Sequence, residues 1–129
     1  MSETAKEPTE SVLVIDAPER GRFEISIDGV PIGFTEYTDH ADAARGEVVD
    51  ETADSADPRA VERTFVHTEI DEAYGGRGLA TILIQTALDS SRTKDLLVIP
   101  TCSAVRRFIA KHPDYLDLVP AARRAELGL

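Results

Sequence analysis

Val61-Glu-Arg-Thr-Phe-Val-His-Thr-Glu-Ile70, Asp71-Glu-Ala-Tyr-Gly-Gly-Arg-Gly78 and Leu79-Ala-Thr-Ile-Leu-Ile-Gln-Thr-Ala-Leu88 follow one another without a break. The first stretch reads as a strand through Thr64-Phe-Val-His-Thr68. The third reads as an amphipathic helix with Leu79, Ile82, Leu83, Ala87 and Leu88 on one stripe. A strand that runs into glycines and straight into a helix has a specific physical use. The first N–H groups of a helix lack intrahelical partners and carry the positive end of its dipole, and glycines let a phosphate approach them. The segment is not a Walker loop, since no Gly-Lys-Ser/Thr follows, nor a dinucleotide fingerprint, since Thr81 stands where the third glycine belongs. Taken alone, it reads equally well as a tight turn.

Outward from this segment the chain punctuates itself. Val12-Leu-Val-Ile15 predicts a first strand ended by Ala17-Pro18. Arg22 to Asp28 alternates at period two, Asp28-Gly29 supplies turn chemistry, and Ile32 to Thr38 returns as the hairpin partner. Residues 39–60 show no periodicity and read as an acidic insertion in a hairpin. Beyond the helix, Asp95-Leu-Leu-Val-Ile99 predicts a buried strand. Pro100-Thr-Cys-Ser103 leads into a second helix with Val105, Phe108 and Ile109 inward, stopped at His112-Pro113. Asp114 to Val119 then docks, and Pro120 to Leu127 forms a terminal helix stopped by Gly128. The expectation is a disordered stretch at 1–10 and one α/β (α+β) domain over 11–129. Its sheet is mixed and mostly antiparallel, and helices flank it.

Composition excludes several classes of function. The chain has 129 residues, and Lys plus Arg is 14 against 24 for Asp plus Glu. A formal charge of -10 argues against a nucleic-acid binder or docking on an anionic membrane. No apolar run reaches membrane length, Met1-Ser-Glu-Thr is not a secretory signal, and the single Cys102 builds no disulfide framework, so a cytoplasmic protein is expected. Three scattered His (40, 67, 112) and one Cys offer no metal spacing. The charge is uneven: acidic residues crowd 36–62, whereas 92–129 carries a basic excess that can receive a phosphorylated ligand.

The glycine turn and its flanks resemble the GNAT superfamily of N-acetyltransferases, whose signature is Gln or Arg, two residues, Gly, one residue, then Gly or Ala. Gly75-Gly-Arg-Gly-Leu-Ala80 meets it at Gly78 and Ala80 and departs at Gly75, where the family has Gln or Arg. His67-Thr-Glu-Ile70, Val98-Ile-Pro-Thr-Cys102 and Phe108-Ile-Ala-Lys-His-Pro-Asp-Tyr115 narrow the resemblance to very small, YjdJ-like members, over roughly Arg22 to Val119. It implies a sheet that splays open beside the strand ending at Ile70, with the pantetheine arm of acetyl-CoA in the opening. The pyrophosphate would then lie on Gly76, Arg77, Gly78, Leu79 and Ala80, with Gly75 opening the turn.

The chemistry so implied is acetyl transfer to a primary amine, which needs a proton acceptor and a donor for the leaving thiolate. Glu69 and His67 share one face of the strand, and either can act as base. Cys102 sits before a helix, where the dipole favours a thiolate; it can accept the acyl group or merely line the pocket. Tyr115 is the alternative proton donor. The acceptor is a small-molecule or protein amine, with a monomer favoured. Two rival readings remain: a CoA-binding regulatory module without turnover, and an interaction protein using the acidic loop.

Overall fold

The computed structural model describes residues 11–41 and 61–129. The expected disorder at 1–10 and most of the expected insertion lie outside those residues. Five strands are present among the described residues: β1 (Val12–Ala17), β2 (Arg22–Ile27), β3 (Val30–Ala41), β4 (Val61–Ile70) and β5 (Leu97–Pro100). They form one sheet in chain order, antiparallel except for the parallel β4–β5 pair. Helix α1 (Leu79–Thr93) links β4 to β5; α2 (Ser103–Lys111), a 3-10 segment (Pro113–Leu118) and the short α3 (Ala121–Arg124) follow. This is the mixed, mostly antiparallel α/β domain that the sequence predicts.

Local chemistry explains most boundaries. Asp28 and Gly29 both adopt positive φ (50° and 84°), as a two-residue hairpin turn requires. The strand expected to end at Thr38 continues through Ala41, so residues 39–41, expected in the insertion, belong to the sheet. Asp39, His40 and Ala41 pair with Arg63, Glu62 and Val61. Arg63 donates to both oxygens of Asp39 at 2.7 and 2.8 Å, which holds these polar residues in register without an apolar pattern. Helix α1 also continues past Leu88. Ser91 and Thr93 donate their hydroxyls to the carbonyls of Ala87 and Asp89, one turn back, and so remain helical.

One core joins the helices to a single face of the sheet. Phe23, Ile25 and Ile27 of β2, Tyr37 of β3, Phe65 of β4 and Val98 of β5 meet Leu79, Leu83, Ala87 and Leu88 of α1. The expected stripe holds except at one position: Ile82 is 41% exposed and Ile84 is buried instead. At 100° per residue, Ile84 falls between Ala87 and Leu88 on the stripe, and Ile82 falls behind it. From α2, Val105, Phe108 and Ile109 enter the same core, as expected.

The opposite face of β1–β4 is open, with Leu13 and Ile15 exposed on it. There Glu24 accepts hydrogen bonds from Arg20 (2.8 and 2.9 Å) and Arg22 (2.8 Å). These bonds, from Arg20 first and then Arg22, hold its carboxyl down at about 2, against an unperturbed 4.5. A depressed folded-state pKa means that the stabilisation is complete above about pH 4.5 and disappears as pH falls through about 2. Glu24→Gln should therefore melt several degrees below the wild type at neutral pH, with the gap closing as the pH approaches 2. A gap constant across that range in thermal melts would remove Glu24 from the acid-sensitive set.

Candidate functional site

The site forms where β4 parts from β5. Their parallel register ends at Phe65↔Pro100, and the chain leaving β5 then ties itself to one carbonyl. The Cys102 N–H (2.9 Å) and the Thr101 hydroxyl (3.0 Å) both donate to Phe65 O. Immediately afterwards β4 carries a bulge: Tyr37 opposes Phe65 and Glu36 opposes His67, leaving Val66 as the extra residue. A bulge bends its strand and increases local twist. From His67 to Ile70, β4 pairs with β3 only, so its other edge faces an opening rather than a strand.

The bulge also shifts which residues face the core. Arg63 and Phe65 point inward before it, and Thr68 and Ile70 lie on the core side after it. Thr68 thereby meets Thr35 (Oγ1–Oγ1 2.8 Å) and Cys102 (Oγ1–Sγ 3.3 Å). Thr35 is fully buried and Cys102 is 8% exposed, so a short polar chain runs through the core to the fork. His67 and Glu69 project to the open face, where Nε2 and Oε2 are 2.7 Å apart and both side chains are exposed. The four catalytic candidates therefore divide. Cys102 lies on the core side of β4, and the His67–Glu69 pair lies on the other. Tyr115 is at neither: its hydroxyl donates to Asp89 at 2.7 Å, roughly 15 Å along α1 from Leu79. Burial first, then the bond to Asp89, pushes the Tyr115 pKa up.

Beyond Ile70 the chain makes a short 3-10 turn capped by the Asp71 carboxylate on Ala73 N–H (3.0 Å), then enters the glycines. Gly76 and Gly78 have φ of 77° and 76°, and a Cβ at either would meet nothing within 4 Å. Both therefore border open space in a conformation that side chains avoid. The first bond within α1 runs from Ile82 N–H to Gly78 O, and no side chain caps this end. The N–H groups of Leu79, Ala80 and Thr81 consequently have no intrahelical acceptor. Gly75 differs: at φ −67° and ψ 154° its backbone suits any residue. Arg77 lies over the Tyr74 ring, 5.5 Å from its centroid.

A groove of about 170 Å³ extends from this helix end between α1 and α2, lined by Ala80, Thr81, Ile84, Arg107, Phe108 and Lys111, among others. Arg107 and Lys111, one turn apart, put positive charge beside the uncapped N–H groups. Arg107 and Lys111 belong to the basic excess that the sequence shows over 92–129, but their place in a groove is not readable there, and neither is the role of Thr35 and Thr68. A fork between parallel strands, a glycine-opened helix N-terminus and a basic groove alongside form a cradle that suits a phosphorylated, extended ligand.

Fold and site define an acyltransferase-type domain of GNAT architecture. The family profile of the GCN5-related N-acetyl-transferases matches residues 22–118, and the chain belongs to that family. It is similar to Protein NATD1 of Danio rerio, 38% identical over 55 residues (41% of this chain, 50% of the relative). It is likewise similar to Protein NATD1 of Bos taurus, 40% identical over 53 residues (40% and 47%). The chain spans about half the length of the curated relatives it matches. Among the described residues, no helix is long and apolar enough to cross a membrane, and no cluster of His, Cys, Asp and Glu could hold a metal ion.

Proposed function

We propose that the chain is an acetyl-CoA-dependent N-acetyltransferase that passes the acetyl group directly to a primary amine in the cytoplasm. The observation that carries this is the fork: β4 leaves β5 at Phe65, and the free edge leads to the uncapped turn at Gly76–Ala80. When bound, the cofactor supplies a thioester acyl group. The chain's own residues then have distinct tasks. Ile70 and the free β4 edge hold the extended arm as an added strand would. The N–H groups from Gly76 to Ala80 receive the pyrophosphate, and Arg107 and Lys111 add positive charge. Gly75, Arg77, Gly78 and Leu79 shape the turn. Glu69 accepts the amine proton, and His67, 2.7 Å away, can share it. With the cofactor bound, transfer would form the C–N bond, break the C–S bond and leave a thiolate for which the Cys102 thiol would be the candidate proton donor; Tyr115, held by Asp89 along α1, stands away from both parts of the site.

The test is release of free CoA on adding amines to the protein with acetyl-CoA, alongside calorimetry with acetyl-CoA alone. No heat, and no competition by CoA, would end this reading. A second reading, a CoA-binding module without turnover, is favoured by Gly75, where the family has Gln or Arg. Because that backbone accepts a side chain, Gly75→Arg should tighten CoA binding. Heat with acetyl-CoA but no CoA release for any amine would select the binding module.

For Cys102, we expect a lining role. Its thiol meets Thr68 rather than the His67–Glu69 pair, and direct transfer needs only a positioned amine and a polarised thioester. Cys102→Ser should keep turnover within about threefold of wild type, because no covalent step depends on the thiol. A stoichiometric acetyl adduct, mapped to the Cys102 peptide and discharged by added amine, would overturn this.

A further inference from the structure

A cavity of about 410 Å³ lies on the open face where β3 begins and β4 ends; it shares Glu69 and Ile70 with the β4 edge leading from the fork and lies apart from Cys102 and the glycine turn. Its chemistry is divided. Pro31 and Phe34 give it an apolar wall, and Glu69, Asp71 and Glu72 give it carboxylates along one side. Its cation, Arg22, is already engaged: Nε donates to Glu24 at 2.8 Å, and the guanidinium lies 4.6 Å from the Phe34 ring centroid. Glu24, held far down its titration range by Arg20 and Arg22, is a fixed anion at the other wall. Three carboxylates therefore face the cavity beyond those the arginines neutralise.

We propose that this cleft seats the acceptor, and that it takes an alkylammonium carrying a second positive charge: a free diamine or polyamine, or a lysine side chain with a basic neighbour. The inference rests on the acetyltransferase reading. Glu69 belongs to both the cleft and the His67–Glu69 pair, so a nitrogen held there stands beside the proton acceptor. Asp71 and Glu72 follow two and three residues later, roughly 7–10 Å along the chain. The adjoining wall of Pro31 and Phe34 suits a methylene stem, which a small hydrophilic cation would leave uncovered. An amino acid or amino sugar bearing a carboxylate or phosphate near its nitrogen would be repelled.

The test uses the full chain and two readouts. In NMR titrations without acetyl-CoA, 1,5-diaminopentane should give saturable amide shifts at Phe34, Ile70 and Glu72. Pentylamine, with the same stem and one charge, should bind at least about tenfold more weakly. With acetyl-CoA present, Glu72→Gln should lower kcat/KM for the diamine at least about tenfold while leaving acetyl-CoA affinity unchanged. A lysine-containing basic peptide with a higher kcat/KM than the diamine would identify a protein as the source of the same chemistry; the reverse would identify a free polyamine. Shifts that map elsewhere, equal affinity for pentylamine, or an unaffected kcat/KM in Glu72→Gln would overturn the proposal. Calorimetric acetyl-CoA binding keeps the failures apart. Loss of cleft shifts with acetyl-CoA still bound refutes the cleft alone, whereas absent acetyl-CoA binding refutes the transferase reading.

Discussion

Gly78→Asp should weaken CoA binding about 100-fold, equivalent to about 2.7 kcal/mol, while the domain still folds. Gly78 is the residue before α1, at φ 76°, with open space where its Cβ would stand. A carboxylate there would sit among the N–H groups of Leu79, Ala80 and Thr81, satisfy them internally as a helix cap does, and repel a phosphate. The control is Gly78→Asn. Asparagine and aspartate both tolerate the left-handed region, so the backbone cost is shared and the difference isolates charge. Calorimetry with CoA at fixed ionic strength should place the aspartate variant at least about tenfold below the asparagine variant, and added salt should narrow the gap. Equal affinities for Asp, Asn and wild type would remove the turn from the binding site.

That turn was legible because its signals are local. Two glycines with positive φ and a helix whose apolar positions recur at 3.6 residues need no tertiary information, and the Asp28-Gly29 hairpin is of the same kind. The fork was legible only through the family resemblance, not from the local pattern. Strict alternation through Thr64-Phe-Val-His-Thr68 would put Phe65, His67 and Glu69 on one face and bury all three together. The bulge at Val66 breaks that phase, so Phe65 stays in the core while His67 and Glu69 turn out to the open face. Their common face could be read; which face it was could not. The same shift brings Thr68 to Cys102, a contact between residues 34 positions apart that no spacing rule suggests. Arg107 and Lys111 were visible as charge but not as a groove wall, since that depends on how α2 lies against α1.

Gly33 was hidden for the same reason, and its substitution should have the largest effect on stability. Its φ is unremarkable for a strand, so no turn rule marks it; its need for hydrogen is set by neighbours. A Cβ there would stand 2.5 Å from Ile70 Cδ1, 2.6 Å from Glu69 O and 3.2 Å from Ile25 Cγ2. The isoleucine tips can rotate away at some cost. The Glu69 carbonyl cannot, because it belongs to the backbone of β4, which is paired with β3 at this point through Gly33↔Ile70. Relief therefore requires β3 and β4 to separate near their ends, breaking the ladder just where Asp71 N–H donates to Ile32 O at 2.7 Å. Gly33→Ala should cost about 3 kcal/mol, at the upper end of ordinary overpacking, and Gly33→Val more, despite valine's preference for strands. Gly29→Ala is the comparison: it strains a positive φ of 84° but meets nothing within 4 Å, so its cost is about 1 kcal/mol of backbone strain. Urea denaturation at unchanged slope should rank Gly33→Ala well below Gly29→Ala in midpoint. Because the displaced strand end also carries Glu69 and Ile70, the folded fraction of Gly33→Ala should bind CoA more weakly than Gly29→Ala does. Equal midpoints for the two variants would mean that β4 moves freely at Glu69, and the rigid edge on which the fork depends would have to be abandoned.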